Sequence, residues 1–109
     1  MLEQNSSLRR LGRFSEPGLL ILVSLADGPK HGYAMLEDID QLAGVRLGPG
    51  TLYGGLARLE RMGLISALPP VERRRPYRLT EVGATVLRSE LTNWQSLATT
   101  GLRRLQVPA

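Results

Sequence analysis

Residues 19–26, "LLILVSLA", are apolar on every side of a helical wheel apart from one serine. That pattern predicts a helix buried at the centre of a small fold. Ser15, followed by Glu16 and Pro17, supplies an N-cap and a first-turn proline, and Asp27-Gly28-Pro29 ends the segment. Helical periodicity returns at Met35, Leu36, Ile39 and Leu42, with Glu37, Asp38 and Asp40 on the other side. This predicts a second helix over 32–43, with an exposed acidic face and Gly44 as its C′ residue. "VRLGPG" offers at most a stub of strand. A third helix starts near residue 50 and stops at Met62-Gly63. "LISAL" (64–68) and "YRLT" (77–80) read as paired strands. Pro69 and Pro70 open the loop between them and predict a broad tip rather than a two-residue turn. Thr80 sits where an N-cap belongs, Glu81 suits a first helical turn, and the last helix extends to about Leu105.

Three helices followed by a two-stranded hairpin make a winged helix-turn-helix, mainly α with a small β-hairpin, plus a long C-terminal dimerisation helix. Residues 1–15 form an N-terminal arm or short leading helix carrying Leu8, Leu11 and Phe14. Residues 16–80 form the winged-helix DNA-binding domain and 81–109 the dimerisation helix.

The third helix raises a puzzle, because "GTLYGGLARLERMG" carries Gly50, Gly54 and Gly55 early in a helix. Each interior glycine costs about 1 kcal/mol relative to alanine. At 100° per residue, Leu52, Leu56 and Leu59 fall within about 60° of one another as the buried stripe. Gly50, Gly54, Ala57 and Arg61 lie opposite, with Thr51 and Arg58 beside them and Tyr53 on the other flank. A face this free of side-chain bulk suits a helix seated in a major groove about 12 Å wide. Gly55 falls nearer the leucines and is assigned to close helix–helix contact. The bland alternative is that the chain is simply glycine-rich, with 12 in all.

Charge sharpens that choice. The net charge is +4, with 14 basic and 10 acidic residues and thirteen of the fourteen cations arginine. The central third contributes most of the excess: Arg46, Arg58, Arg61, Arg73, Arg74, Arg75 and Arg78 stand against Glu60 and Glu72. Arg73, Arg74 and Arg75 crowd the hairpin tip and Arg78 lies on the return strand, where a wing meets DNA backbone or minor groove. An arginine triplet elsewhere would read as a solvated loop.

On the last helix, Leu87, Leu91, Trp94, Ala98, Gly101 and Leu105 recur at intervals of 4, 3, 4, 3 and 4. That is a coiled-coil seam, and Leu97 and Leu102 widen it. A second copy of the chain is the simplest partner, and a lid folded back on its own domain is the alternative.

Three stretches resemble the PadR-like transcriptional regulators: "LADGPKHGYAML" (25–36), "LGPGTLYGGLARLERMGLI" (47–65) and "RRRPYRLTEVG" (73–83). The resemblance covers roughly residues 17 to 87, and Pro49-Gly50-Thr51-Leu52-Tyr53 is its most specific element. The chain departs from the family pattern at Gly54, where proline is common, and at Pro76, where an aromatic or lysine is frequent. The resemblance implies a repressor that dimerises through its last helix and releases DNA when a small molecule binds. It further implies a planar aromatic effector between the two halves of the dimer, where Trp94, the only tryptophan, sits mid-seam.

Other chemistries find little support. No cysteine is present, which removes disulfides, thiolate ligands and cysteine nucleophiles. The single histidine, His31, reads as a packing or capping residue, and no metal or cofactor is expected. No phosphate-binding loop or nucleophile motif occurs, so the chain reads as a non-enzyme. The first residues lack the apolar core of a signal peptide, and a cytoplasmic location is expected. Two alternatives to DNA binding remain open at this stage. One is a winged helix that binds only protein. The other is an RNA-binding module, although the aromatic residues are not clustered as stacking platforms.

Overall fold

The computed structural model describes residues 16–106. Ser15 and the arm with Leu8, Leu11 and Phe14 lie outside the described residues, as do positions 107–109. Helix α1 (Pro17–Leu25) leads to a two-residue strand β1 (Lys30–His31), then α2 (Gly32–Ala43) and α3 (Pro49–Arg61). Strands β2 (Ile65–Ala67) and β3 (Pro76–Leu79) follow, and α4 (Glu81–Gln106) completes the chain.

Helix α1 begins with proline at its first turn after Glu16. It buries Leu19, Leu20, Ile21, Leu22 and Leu25, so neighbours surround it. α2, α3 and α4 supply Met35, Ile39, Leu52, Leu56, Leu59 and Leu87 to the same core. Leu42, expected on the inner stripe of α2, is 47% exposed. α2 ends at Gly44, whose φ of 66° is the left-handed conformation that glycine adopts without steric cost.

The buried hydroxyl of Ser24 donates to Asp38 Oδ2 at 2.7 Å. Lys30 donates to Asp27 and to the Ser24 carbonyl. Asp38 is therefore half-buried and partnered, and does not belong to the exposed acidic face that its spacing suggested. The Lys30 hydrogen bond, and secondarily its charge, holds the Asp27 carboxyl below the ordinary carboxylate range.

The sheet is antiparallel with order β1-β3-β2. Ile65 faces Leu79 and Ala67 faces Tyr77 across the hairpin, while Lys30 pairs with Tyr77 and His31 with Pro76 on the other edge. No strand forms at "VRLGPG"; the third strand is Lys30–His31, which is too short to show a pattern.

The expected broad tip is corrected. Val71 and Arg74 exchange both backbone hydrogen bonds, at 2.7 and 2.9 Å, which closes a two-residue turn at Glu72-Arg73. Both turn residues are left-handed, with φ of 50° and 68°, as in a type I′ turn. The prolines precede the turn. Pro69 and Pro70 oppose the single residue Arg75, because Leu68 pairs with Pro76 and Val71 with Arg74. One extra residue on the outgoing arm is the arrangement of a bulge.

Thr80 caps α4. Its hydroxyl accepts the Gly83 amide at 3.0 Å and donates to the Gly63 carbonyl at 2.7 Å, tying the end of α3 to the start of α4. The first turns of α4 belong to the core through Gly83 and Leu87.

Candidate nucleic-acid interface

Helix α3 sorts its residues by face as the leucine spacing predicts. Leu52, Leu56 and Leu59 are 0, 1 and 5% exposed. Gly55 is buried beside them, and a Cβ placed there would stand 2.9 Å from Ile21 Cδ1. Across the helix, Cβ atoms at Gly50 and Gly54 would meet nothing within 4 Å. Thr51, Ala57 and Arg61 are exposed as well. The outward side is therefore an open strip of backbone and small side chains.

Tyr53 and Arg58 occupy opposite flanks, about 140° apart by helical geometry. The Tyr53 ring lies across the start of α2; a Cβ on Gly32 would come 2.5 Å from its hydroxyl oxygen and 3.3 Å from the buried Leu52 Cδ2, so a side chain there would push the exposed Tyr53 ring aside. Arg58 turns the other way. It lines a groove of about 430 Å³ with Glu16, Met62, Val86 and Glu90. The structure thus brings Tyr53 to the outward surface near α2 and sets Arg58 apart on the side of α1 and α4.

The wing arginines also separate. Arg73 is exposed at the turn. Arg74 Nη1 reaches His31 Nε2 at 3.2 Å. Arg75 Nη1 donates to the Leu68 carbonyl at 3.1 Å, bracing the hairpin arm. Arg78 is exposed on β3. Arg73 and Arg74 stay exposed at the wing, and Arg75 has a structural hydrogen bond of its own. Sequence reasoning missed the link from wing to α2 through His31, because the pair is 43 residues apart. The capping role expected for His31 is present: Nδ1 accepts the Ala34 amide at 3.3 Å.

Along α4, the proposed seam needs one correction. Leu87 is 4% exposed within its own domain core, and Leu91 packs against that core, because the first turns of α4 lie on α1. The exposed stretch lies further along. Leu97, Leu102 and Leu105 are 61, 62 and 84% exposed. Trp94 and Ala98 line a groove of about 600 Å³ together with Arg88, Leu91 and Gln95. Among the described residues, no cluster of acidic or histidine side chains could hold a metal ion. No helix among them is long and apolar enough to cross a membrane.

Comparison with known proteins decides the family. The sequence model of the Transcriptional regulator PadR-like family matches residues 21–89. The chain belongs to this family. A 37.1 kDa uncharacterized protein in transposon TN4556 of Streptomyces fradiae is 49% identical over 78 residues, covering 72% of this chain and 23% of that protein. The transcriptional activator GvpE of Haloferax mediterranei is 36% identical over 67 residues, covering 62% of this chain and 34% of that protein. The chain spans about a quarter and a third of these two relatives. The transcriptional regulator Rv3488 of Mycobacterium tuberculosis is 36% identical over 83 residues, with 73% of this chain and 77% of that protein covered. Among solved structures, a PadR family regulator from Clostridium difficile superposes with a TM-score of 0.74 at 24% identity, over 84% of this chain and 99% of that one. This likeness, and the small sheet among long helices, make the fold the PadR winged helix.

Proposed function

We propose that the chain is a sequence-specific, dimeric DNA-binding regulator that acts as a repressor and is released by a small molecule. The observation that carries this reading is the outward side of α3, which is open at Gly50 and Gly54 and lies in the most basic third of the chain. In this reading Gly50, Thr51, Tyr53, Gly54 and Arg61 meet base edges and sugar in the major groove. Arg73 and Arg74 meet phosphates, and Arg78 adds positive potential along the strand. Arg58 acts from the opposite flank, on the backbone rather than on bases. Family membership supports the regulatory role; an activator, GvpE, stands among the relatives, so the direction of control is part of the proposal.

Two copies joined through Leu97, Leu102 and Leu105, with Trp94, Ala98 and Gly101 between them, would present two α3 helices to half-sites about one helical turn or more apart. The groove at Trp94 has a volume within the range of small-molecule sites and an aromatic wall, which suits a planar aromatic effector. Selection of bound sites from random duplex DNA tests the whole. A palindrome with fixed half-site spacing is expected. Enrichment of no sequence, with stable capture of protein partners by the same surface, would favour the protein-binding alternative.

A further inference from the structure

We propose that His31 and Arg74 together hold one phosphate of a DNA backbone, between the wing and the start of α2; this rests on the DNA-binding reading above. The geometry turns on a proton count. A neutral imidazole carries one N–H and one lone pair. At His31 the lone pair on Nδ1 is in use, accepting the Ala34 amide at 3.3 Å. In the tautomer that keeps this cap, the proton resides on Nε2. That N–H faces Arg74 Nη1 at 3.2 Å, and a guanidinium offers donors only. Two donors meet with no acceptor between them.

No proton arrangement of the ring alone relieves this. The opposite tautomer accepts from Arg74 but sets an N–H on Nδ1 against the Ala34 amide. The imidazolium donates from both nitrogens and faces a second cation. An anionic oxygen placed between Nε2–H and Nη1–H resolves the conflict: both donors find an acceptor, and Nδ1 keeps the helix cap. The surroundings favour a phosphodiester. Arg73 lies next to the pair at the exposed wing tip. The exposed Tyr53 ring of α3 reaches Gly32, the residue next to His31. A strand of duplex whose major groove receives α3 would carry a phosphate past this point.

His31 is the only histidine, so a protein labelled with ¹⁵N-histidine gives a single pair of ring nitrogen signals. The protein is titrated with a random-sequence duplex of roughly 30 base pairs at low salt, since backbone contacts do not depend on sequence. Inorganic phosphate forms a parallel arm. With DNA, the ring is expected to settle in the Nε2–H tautomer with a shifted Nε2 signal. His31→Asn keeps an N-cap acceptor but cannot reach Arg74. It should bind DNA about five- to tenfold more weakly, with an unchanged salt slope because no charge is lost. Arg74→Ala should weaken binding to every sequence and lower the slope by about one. A bound state with the proton on Nδ1, or His31→Asn binding as tightly as the parent, overturns the phosphate site. So does a response to inorganic phosphate with none to DNA. Wild-type protein that binds DNA with a silent His31 removes this site alone; wild-type protein that binds no duplex at all removes the regulatory reading with it.

Discussion

Alanine at Gly54 and alanine at Gly55 are neighbouring changes on one helix with opposite expected effects. Each replaces a helical glycine, which by propensity alone adds about 1 kcal/mol of stability. At Gly54 the new methyl meets nothing within 4 Å, so no packing cost is set against that gain. A gain of this size raises the melting temperature by roughly 4–8 °C in a domain this small. At Gly55 the methyl carbon would sit 2.9 Å from Ile21 Cδ1, well inside the 3.5–4.0 Å of a comfortable carbon contact. Ile21 is fully buried and cannot swing aside without disturbing its neighbours. Overpacking of this kind costs about 1–3 kcal/mol. The net effect at Gly55 therefore runs from neutral to about 2 kcal/mol of destabilisation. Urea unfolding at one fixed protein concentration measures both, the fixed concentration being needed because association shifts apparent stability. Function should move against stability at Gly54. Leucine there keeps nearly the helix propensity of alanine, yet should cost tenfold or more in affinity for duplex DNA, about 1.4 kcal/mol. Equal stabilisation at both positions, or loss of stability at Gly54, would show that the two faces have been assigned wrongly. Unchanged DNA affinity in Gly54→Leu would detach the open strip from DNA.

Other expected outcomes follow from single contacts. A Cβ at Gly83 would stand 2.0 Å from the Leu64 carbonyl oxygen, a backbone atom that cannot rotate away, so Gly83→Ala should destabilise by about 3 kcal/mol or more, read by the same unfolding assay. Leu97→Glu with Leu105→Glu places charge on the exposed stretch of α4 and should leave a folded monomer in sedimentation equilibrium; a dimer of unchanged strength would move the interface elsewhere. Asp27 contributes stability above its unfolded pKa near 4, and the contribution fades as pH falls through its lower folded value. The melting temperature of Asp27→Asn should therefore lie slightly below that of the parent at neutral pH and meet it in strong acid. A gap that persists in acid would dissociate Asp27 from the effect.

Much of this molecule is legible in its sequence wherever burial sets the pattern. The leucines of α3 sit at helical spacing because one face is dry, and the same spacing separates open Gly54 from crowded Gly55. α2 begins and ends where its periodicity and Gly44 place it. The wing tip was not legible: Glu72 and Arg73 take left-handed backbone without the glycine or asparagine that usually marks it, because paired hydrogen bonds between Val71 and Arg74 hold the turn. The β1 edge had no signal of its own, since its two residues become a strand only against β3. Leu87 fits the seam by spacing and is nevertheless spent on the core, because periodicity gives the side of a helix without saying which partner covers it. His31 displayed its capping role locally, while its second nitrogen depends on an arginine brought in by the hairpin.

The central claim is that the outward side of α3 lies against DNA. The chain contains no cysteine, so Arg61→Cys, on the same exposed side, creates a unique attachment point for a photocrosslinker no longer than the arginine it replaces. Irradiation of the DNA complex should yield adducts at bases within the bound half-site, reached from the major groove. Adducts confined to protein, with the DNA left unlabelled in a complex that still forms, would contradict it.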